Sequence, residues 1–362
     1  MPHWPEADLA LRCYPEVPAN ISMPWDAADG YMLNESDAPV RLILNDRYGA
    51  LSCAFPEAQV WHDSFCARIA TQQNRLENGL PEATFLEYPD FSDADRLDNV
   101  SSRDTQVLVR IPKQKEQLSA QLYYLAKVYP DATILLAGMA KHIPIPLLNW
   151  LEEKAEHYEQ LPVVRKARLV KLRGLSKFSD VAPVTRRYDI SGFSLSAPAG
   201  VFCGDRPDPG ARALLKHLPT GQTGTICDLG CGNGILSAHI AKSNPQATLI
   251  ATDDSQLATL AARSNLQANN LRGDVRQGNI LSSVEETLDM VICNPPFHDG
   301  HKQLTSIAES MFHESFHQLR QGGELLVVAN RHLPYTKVLK RLFKDVALIS
   351  DDKRFNIYRC VR

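Results

Sequence analysis

The sequence predicts an α/β fold: two tandem doubly wound domains with mostly parallel, seven-stranded sheets and helices on both faces. Three observations predict it. Short apolar runs alternate with helix-length segments through the second half of the chain. A glycine-rich turn follows one of those runs and a proline-rich turn follows a later one, where open α/β sheets place ligands. The first half repeats part of the second at a constant offset.

A chain of 362 residues has room for two domains. Its 44% hydrophobic and 22% charged residues are ordinary for a soluble globular protein. Met1-Pro2-His3-Trp4-Pro5-Glu6 lacks the basic-then-apolar pattern of a signal peptide, and no apolar run approaches the length of a membrane span. Eight cysteines include no Cys-x-x-Cys pair, and Cys227 and Cys293 sit inside apolar strands, where a thiol acts as a small hydrophobe. The expectation is a cytoplasmic, reduced, metal-free protein without a membrane anchor. The formal net charge of −3 does not mark a nucleic-acid binder, so any such surface is a local patch.

In the first half, strands are expected at Val40–Asp46 and Val107–Val109, with a helix over residues 63–80. That helix has a counterpart at residues 254–271. At an offset of 191, seven of 18 positions are identical: Asp63/Asp254, Ser64/Ser255, Ala67/Ala258, Ala70/Ala261, Asn74/Asn265, Asn78/Asn269 and Leu80/Leu271. Small residues at three- and four-residue spacing suit a helix packed closely on a sheet. A Pro/polar stretch near residues 175–200 divides the copies, so the domains are read as 1–180 and 181–362.

In the second half, strand candidates are 224–228, 247–252, 274–276, 288–293, 324–329, 345–350 and 355–360. The first runs into Asp228-Leu229-Gly230-Cys231-Gly232-Asn233-Gly234. Gly230, Gly232 and Gly234 let backbone turn sharply against a ligand at a helix start. Asp228 either orders that turn or meets a cofactor amino group. Asp253 ends the next strand, where a carboxylate accepts from ribose hydroxyls. Asn279 follows the third strand and either meets an adenine ring or caps a turn. Glycines alone also suit a nicotinamide cofactor or a plain tight turn. The dinucleotide pattern, however, places its third glycine three positions after the second, and here the spacing is Gly-x-Gly-x-Gly.

The fourth strand ends in Asn294-Pro295-Pro296-Phe297. An exocyclic amino group is a poor nucleophile because its lone pair is delocalised into the ring. The Asn294 side-chain oxygen and the Pro295 carbonyl can accept its hydrogens and return electron density to nitrogen. Pro295 and Pro296 hold those acceptors in place. Phe297 can stack on the base. No strong base is needed, because the product sheds its proton readily. Together the two turns resemble those of S-adenosylmethionine-dependent amino-methyltransferases.

The first-half copy lacks this chemistry. Arg47-Tyr48-Gly49-Ala50-Leu51-Ser52 keeps one glycine, and Arg110-Ile111-Pro112-Lys113 replaces the Asn-Pro-Pro-Phe turn. That half is a structural scaffold or an RNA-binding platform. Residues 163–187 hold eight Lys/Arg (Arg165, Lys166, Arg168, Lys171, Arg173, Lys177, Arg186, Arg187) against Asp180, and residues 331–362 hold nine against three acids. Arg110, Lys113, Arg165, Lys166, Arg168, Lys171 and Arg173 are the candidate RNA contacts, positioning a phosphate backbone without reading sequence. A target base would have to leave its stack to reach the pocket.

The chain resembles the bacterial ribosomal RNA guanine-N2 methyltransferases with two tandem Rossmann-like methyltransferase domains, the N-terminal one degenerate. The resemblance rests on Val201-Phe202, the Asp228–Gly234 turn, Asn294-Pro295-Pro296-Phe297-His298, Gly322-Gly323-Glu324-Leu325 and Ala329-Asn330-Arg331-His332-Leu333. Leu42-Ile43-Leu44-Asn45-Asp46 and Ile111-Pro112-Lys113 are similar to the large-subunit branch of that family. Cys203-Gly204-Asp205-Arg206 departs from it, since relatives carry Ser or Arg after the Phe. The resemblance implies S-adenosyl-L-methionine as cofactor and a guanine N2 in 23S rRNA as target, on naked or incompletely assembled RNA. It adds Phe202 and Asn294 to the cofactor-binding set of Asp228, Gly230, Gly232, Gly234, Asp253 and Asn279. Guanine-N2 methylation of 16S rRNA, adenine-N6 or glutamine-N5 methylation, and a non-catalytic RNA-assembly role are the alternatives. Tandem halves are compatible with a monomer.

Overall fold

Parallel strands buried on both faces are continuous apolar runs, and this chain builds two sheets around such runs. The computed structural model describes residues 1–17, 22–87, 104–180, 182–296, 302–333, 335–351 and 353–362. The chain divides into two units, Met1–Val184 and Thr185–Arg362.

The first unit runs β1 (His3–Trp4), β2 (Leu9–Ala10), α1 (Ala27–Glu35), β3 (Val40–Leu44), α2 (Ala50–Ala54), β4 (Gln59–Trp61), α3 (Phe65–Glu77), β5 (Gln106–Arg110), α4 (Lys115–Val128), β6 (Thr133–Met139), α5 (Ile145–Lys154), β7 (His157–Gln160) and β8 (Ala167–Arg173). Its main sheet has the order β4-β3-β5-β6-β8-β7, with β7 and β8 antiparallel. Alternate side chains serve two cores: Leu42, Leu44, Val107 and Val109 pack with α4 and α5, whereas Ile43 and Leu108 pack with α1 and α2. Seven strands were expected in this half, and six form the main sheet among the described residues. At the outer side of β4 stands a single parallel bridge, Val60 to Phe85. One bridge fixes too few backbone bonds to make a strand.

The second unit runs β9 (Arg186–Ile190), β10 (Phe193–Ala197), α6 (Pro209–Leu215), β11 (Thr223–Leu229), α7 (Ile235–Ser243), β12 (Gln246–Asp253), α8 (Gln256–Ala268), β13 (Asp274–Gln277), β14 (Leu288–Cys293), α9 (Lys302–Gln318), β15 (Leu319–Asn330), α10 (Tyr335–Leu342), β16 (Asp345–Asp351) and β17 (Phe355–Val361). Its seven-stranded sheet has the order β13-β12-β11-β14-β15-β17-β16, antiparallel only at β17 and its neighbours. Ile226, Ile292 and Val328 face α6, α7 and α8, while Cys227, Val291 and Val327 face α9 and α10. β9 and β10 form a hairpin outside this sheet, within the stretch expected only to divide the halves. Phe193 and Leu195 anchor it in the core.

The repeat identities are the groups that fix the helices. Ser64 caps α3 by accepting from Ala67 N (3.2 Å), as Ser255 caps α8 by accepting from Ala258 N (3.0 Å). Asn78 and Asn269 end those helices as C-caps. Leu80 N and Leu271 N each close the helix end onto a carbonyl at 2.9 Å, Arg75 and Leu266 respectively. Gly49 and Gly234 start α2 and α7 in the left-handed region, at φ 77° and 82°.

Candidate active site

Register brings the candidate residues together. Leu229 pairs with Thr252 on one side and Cys293 on the other, both parallel. Gly230, Asp253 and Asn294 are therefore each the first residue beyond one row, at the carboxyl edge of three adjacent strands. Asp253 pairs with Gln277, and Gly278 N donates to Asp253 O (3.0 Å), which brings the Asn279 turn alongside.

The glycine turn has an open side and a packed side. Gly230, Gly232 and Gly234 have φ of 79°, 55° and 82°, conformations that cost a side chain strain. A Cβ on Gly234 would lie 3.0 Å from Ala262 Cα, so that glycine lets α7 pack on α8. A Cβ on Gly232 would meet nothing within 4 Å. Asp253 ties this turn to the next helix. Its carboxylate accepts from Gly232 N and from Ser255 N, both at 2.9 Å. Asn265 holds the turn from behind, donating to Asn233 O (2.8 Å).

Asp228 is 0% exposed; its Oδ2 accepts from the Ser237 hydroxyl, and its Oδ1 is buried without a partner among the described residues. Burial pushes its carboxyl up to about 7. The Ser237 bond ties this carboxylate to the first turn of α7. Asn279 is half-buried and opens a turn, its N–H donating to Ser282 Oγ and its carbonyl accepting from Ser282 N, both at 2.9 Å.

Asn294 leaves β14 with its amide nitrogen donating to Asp208 Oδ2 at 3.0 Å. Its amide oxygen is buried and has no hydrogen-bond partner among the described residues. Pro295 is buried and Pro296 exposed. Phe297 and His298 lie outside the described residues. Phe202 is 57% exposed, in the loop that leads to Asp208.

The first unit matches a protein-family profile described as the RLMG N-terminal domain, over residues 2–176, and the second matches the methyltransferase small domain, over residues 192–359. The ribosomal RNA large subunit methyltransferase G of Alcanivorax borkumensis is 33% identical, over 99% of this chain and 96% of that one. The chain belongs to the ribosomal RNA large subunit methyltransferase G family. It is therefore an enzyme, a methyltransferase of two α/β units. The fold of this methyltransferase G relative is also that of the 16S rRNA N2 methyltransferase of T. thermophilus, solved with AdoMet and guanosine, at TM-score 0.79 over 100% of this chain and 97% of that one with 17% identity. A methyltransferase from Pyrococcus furiosus is similar over 42% of this chain and 80% of that one, at 19% identity and TM-score 0.35.

In this methyltransferase G family member the seven candidate RNA contacts fall into two groups. Arg110, expected as an RNA contact, is half-buried in an ion pair: its guanidinium donates to both oxygens of Asp26, at 2.8 and 2.9 Å, and to Asp29. Those carboxylates hold it too firmly for exchange onto a phosphate. Lys171 pairs with Glu35 at 3.2 Å, and Arg168 is half-buried. Lys113, Arg165, Lys166 and Arg173 are exposed, Arg165 donating to Glu6 Oε1 at 2.9 Å and Arg173 to Thr133 Oγ1 at 2.8 Å. Arg165 and Lys166 form the tip of a tight hairpin closed by Val164 and Ala167.

Asp208 and Asn265, which bond Asn294 and the glycine turn, are not among the candidates that the sequence offers. Asp208-Pro209 is a legible helix start, since an Asp cap with proline at the first helical position is a standard signal. Its reach to Asn294, 86 positions away, carries no local signal.

Proposed function

We propose that this enzyme transfers a methyl group from S-adenosyl-L-methionine to the exocyclic N2 amino group of a guanine in 23S rRNA. The observation that carries the reading is the buried Asn294 oxygen, without a partner among the described residues, at the same strand edge as the open glycine turn. A buried acceptor without a partner is costly and is explained by a donor that arrives with substrate.

The residues fit the cofactor. Gly232 leaves free the space that a Cβ would occupy. The Asp253 carboxylate ends β12 beside that turn, where it can accept from ribose hydroxyls. Asn279 stands at the next loop, and Phe202 at the loop before α6. The cofactor supplies an electrophilic methyl group. Asn294 does the work on the other side: its oxygen accepts from the amino N–H, which orients that nitrogen and opposes delocalisation of its lone pair. Pro295 and Pro296 restrict the backbone that carries it.

The A. borkumensis relative's name supports the large-subunit RNA, and the guanosine bound to the T. thermophilus enzyme supports the base. We further assign RNA phosphate contacts to Lys113, Arg165 and Lys166, which are exposed. The reading extends to naked or incompletely assembled 23S rRNA, to a monomer, and to the cytoplasm. No helix among the described residues is long and apolar enough to cross a membrane.

Incubation with labelled methyl donor and separated 16S and 23S transcripts tests it, followed by nuclease mapping of the product. Label in N2-methylguanosine of the 23S transcript is expected. Label in 16S RNA alone, or on adenine, overturns the assignment. A parallel arm with assembled large subunits should take up less label than free RNA.

A further inference from the structure

We propose that Asp208 is a positioning residue that decides which atom of the Asn294 amide meets the target amino group. The proposal rests on the reading of Asn294 given above and goes beyond it by naming what sets its polarity.

Asp208 is the N-cap of α6. One oxygen, Oδ2, accepts from Ala211 N at 2.8 Å and from Asn294 Nδ2 at 3.0 Å. A carboxylate only accepts, so the atom of Asn294 that faces it must be the amide nitrogen. The amide oxygen is then left over, buried and without a partner among the described residues. An incoming amino group brings N–H donors and needs that oxygen. A flipped amide would set its own N–H groups against the amino hydrogens, donor against donor. Asparagine suits this position because it gives a donor to Asp208 and keeps an acceptor. An aspartate there would place two carboxylates face to face.

The other unit holds an independent copy of the same joint. Asp26 is the N-cap of α1 and accepts from Ala28 N at 2.8 Å. It also takes the guanidinium of Arg110. Arg110 stands at the register position of Asn294: Leu44 pairs with Val109, as Leu229 pairs with Cys293. A helix-cap carboxylate holding the residue one position beyond the last pair with the central strand is thus a feature of both copies. They differ in what remains after the carboxylate is satisfied. Arginine has five donors and no acceptor, so the first unit offers nothing to an amino group.

The test uses the full chain with Asp208→Ser and Asp208→Asn. Serine keeps the cap on Ala211 but is too short to reach Asn294. Asparagine keeps both bonds, because the Ala211 N–H requires the side-chain oxygen on that side. Asp208→Ser should lower kcat about a hundred-fold, with cofactor affinity within about twofold and melting within roughly 3 °C of wild type. Asp208→Asn should recover turnover to within about tenfold of wild type. Parallel loss of cofactor binding and melting temperature with turnover, or an Asn variant as impaired as the Ser variant, would make Asp208 a cap and nothing more. Nucleoside binding reads amide polarity without RNA. Wild type should prefer guanosine over inosine, which lacks the amino group, by roughly fivefold or more. Asp208→Ser should bring the two close to equal. If the preference persists in that variant, the proposal is wrong. A wild type that is inactive on 23S rRNA yet shows the nucleoside effect overturns the choice of RNA and leaves the role of Asp208 intact.

Discussion

Asn74 and Asn265, 191 positions apart, make the same hydrogen bonds in their two units. Asn265 Nδ2 donates to Ser196 O and Asn233 O, both at 2.8 Å, and its Oδ1 accepts from Ser196 N at 2.9 Å. Asn74 Nδ2 donates to Arg12 O (2.9 Å) and Tyr48 O (2.8 Å), and its Oδ1 accepts from Arg12 N at 2.9 Å. Each side chain clamps a helix to the turn after the central strand. The clamps are alike; the turns differ. Asn233 sits between two glycines, and Tyr48 between an arginine and a glycine.

Replacing the clamp should separate stability from binding. Asn265→Ala and Asn74→Ala each strand buried carbonyls and should each cost about 2–4 kcal/mol. Only Asn265→Ala should weaken cofactor binding, because only its turn has an open side. Denaturant melts and calorimetry on the full chain check this. Unchanged cofactor affinity in Asn265→Ala would detach the clamp from the cofactor turn.

The glycines should respond unequally. Gly232→Ala adds a methyl group to empty space at φ 55°, so the fold should bear about 1–2 kcal/mol of backbone strain while cofactor affinity drops. Gly234→Ala drives its Cβ to 3.0 Å from Ala262 Cα and should destabilise the second unit more. Equal melting temperatures for the two variants would contradict the packed-side and open-side assignment.

Asn294→Ala should lower methyl transfer on the order of a hundred-fold or more while leaving cofactor affinity nearly intact. In the proposed reaction its oxygen accepts from the amino group, and its nitrogen is already bonded to Asp208. Single-turnover rates and cofactor titration measure the two effects separately. Near wild-type transfer would remove Asn294 from the chemistry.

The catalytic unit was the more legible one because its buried parallel strands are plain apolar runs. Leu288–Cys293 was found to the residue. β15 begins at Leu319, five positions before its expected start, because Leu319 pairs with Leu288 ahead of the Gly322-Gly323 irregularity. β9 was missed because Arg186-Arg187-Tyr188-Asp189-Ile190 contains no buried residue. Its turn, Ser191-Gly192 with φ of 51° and 82°, did carry a hairpin signal. Arg110 was misread because a sequence shows charge but not burial. Its partners Asp26 and Asp29 lie more than 80 positions away, and no local pattern announces them.

Two buried carboxyls should set part of the pH dependence of stability. Asp228 and Asp46 are both pushed up to about 7, by burial first, with Ser237 and Ser52 donating to them. A carboxyl raised in the folded state binds its proton more tightly there than in the unfolded chain. Its contribution is present below the ordinary range near about 4 and is lost as pH rises to about 7. Asp228→Asn and Asp46→Asn should each flatten the decline in melting temperature between about pH 4 and pH 7. Profiles parallel to wild type would show that these groups ionise normally.

The hairpin tip gives the sharpest test of the RNA surface. Arg165 and Lys166 are exposed and occupy the two central positions of a tight turn at φ 46° and 66°. Both angles are left-handed, a conformation for which Asn-Gly is the preferred pair and long side chains are poorly suited. Arg165 pairs with Glu6 at 2.9 Å, but its side chain is 76% exposed, and a surface pair of that kind contributes little. If the tip served only structure, an Asn-Gly pair would serve it better. The double substitution Arg165→Asn with Lys166→Gly should therefore hold or raise the melting temperature. It should weaken RNA binding and reduce the salt slope of log affinity by roughly 1.4–1.8, the counterion release of two phosphate contacts. Arg110→Ala supplies the contrast. It leaves Asp26 and Asp29 without their cation and should cost about 3–5 kcal/mol of stability, with the salt slope unchanged. RNA affinity across a salt series, measured beside melting temperature for both variants, separates a binding surface from a structural ion pair. An unaltered salt slope in the hairpin variant would take Arg165 and Lys166 out of the RNA surface and leave Lys113 and Arg173 as the exposed candidates.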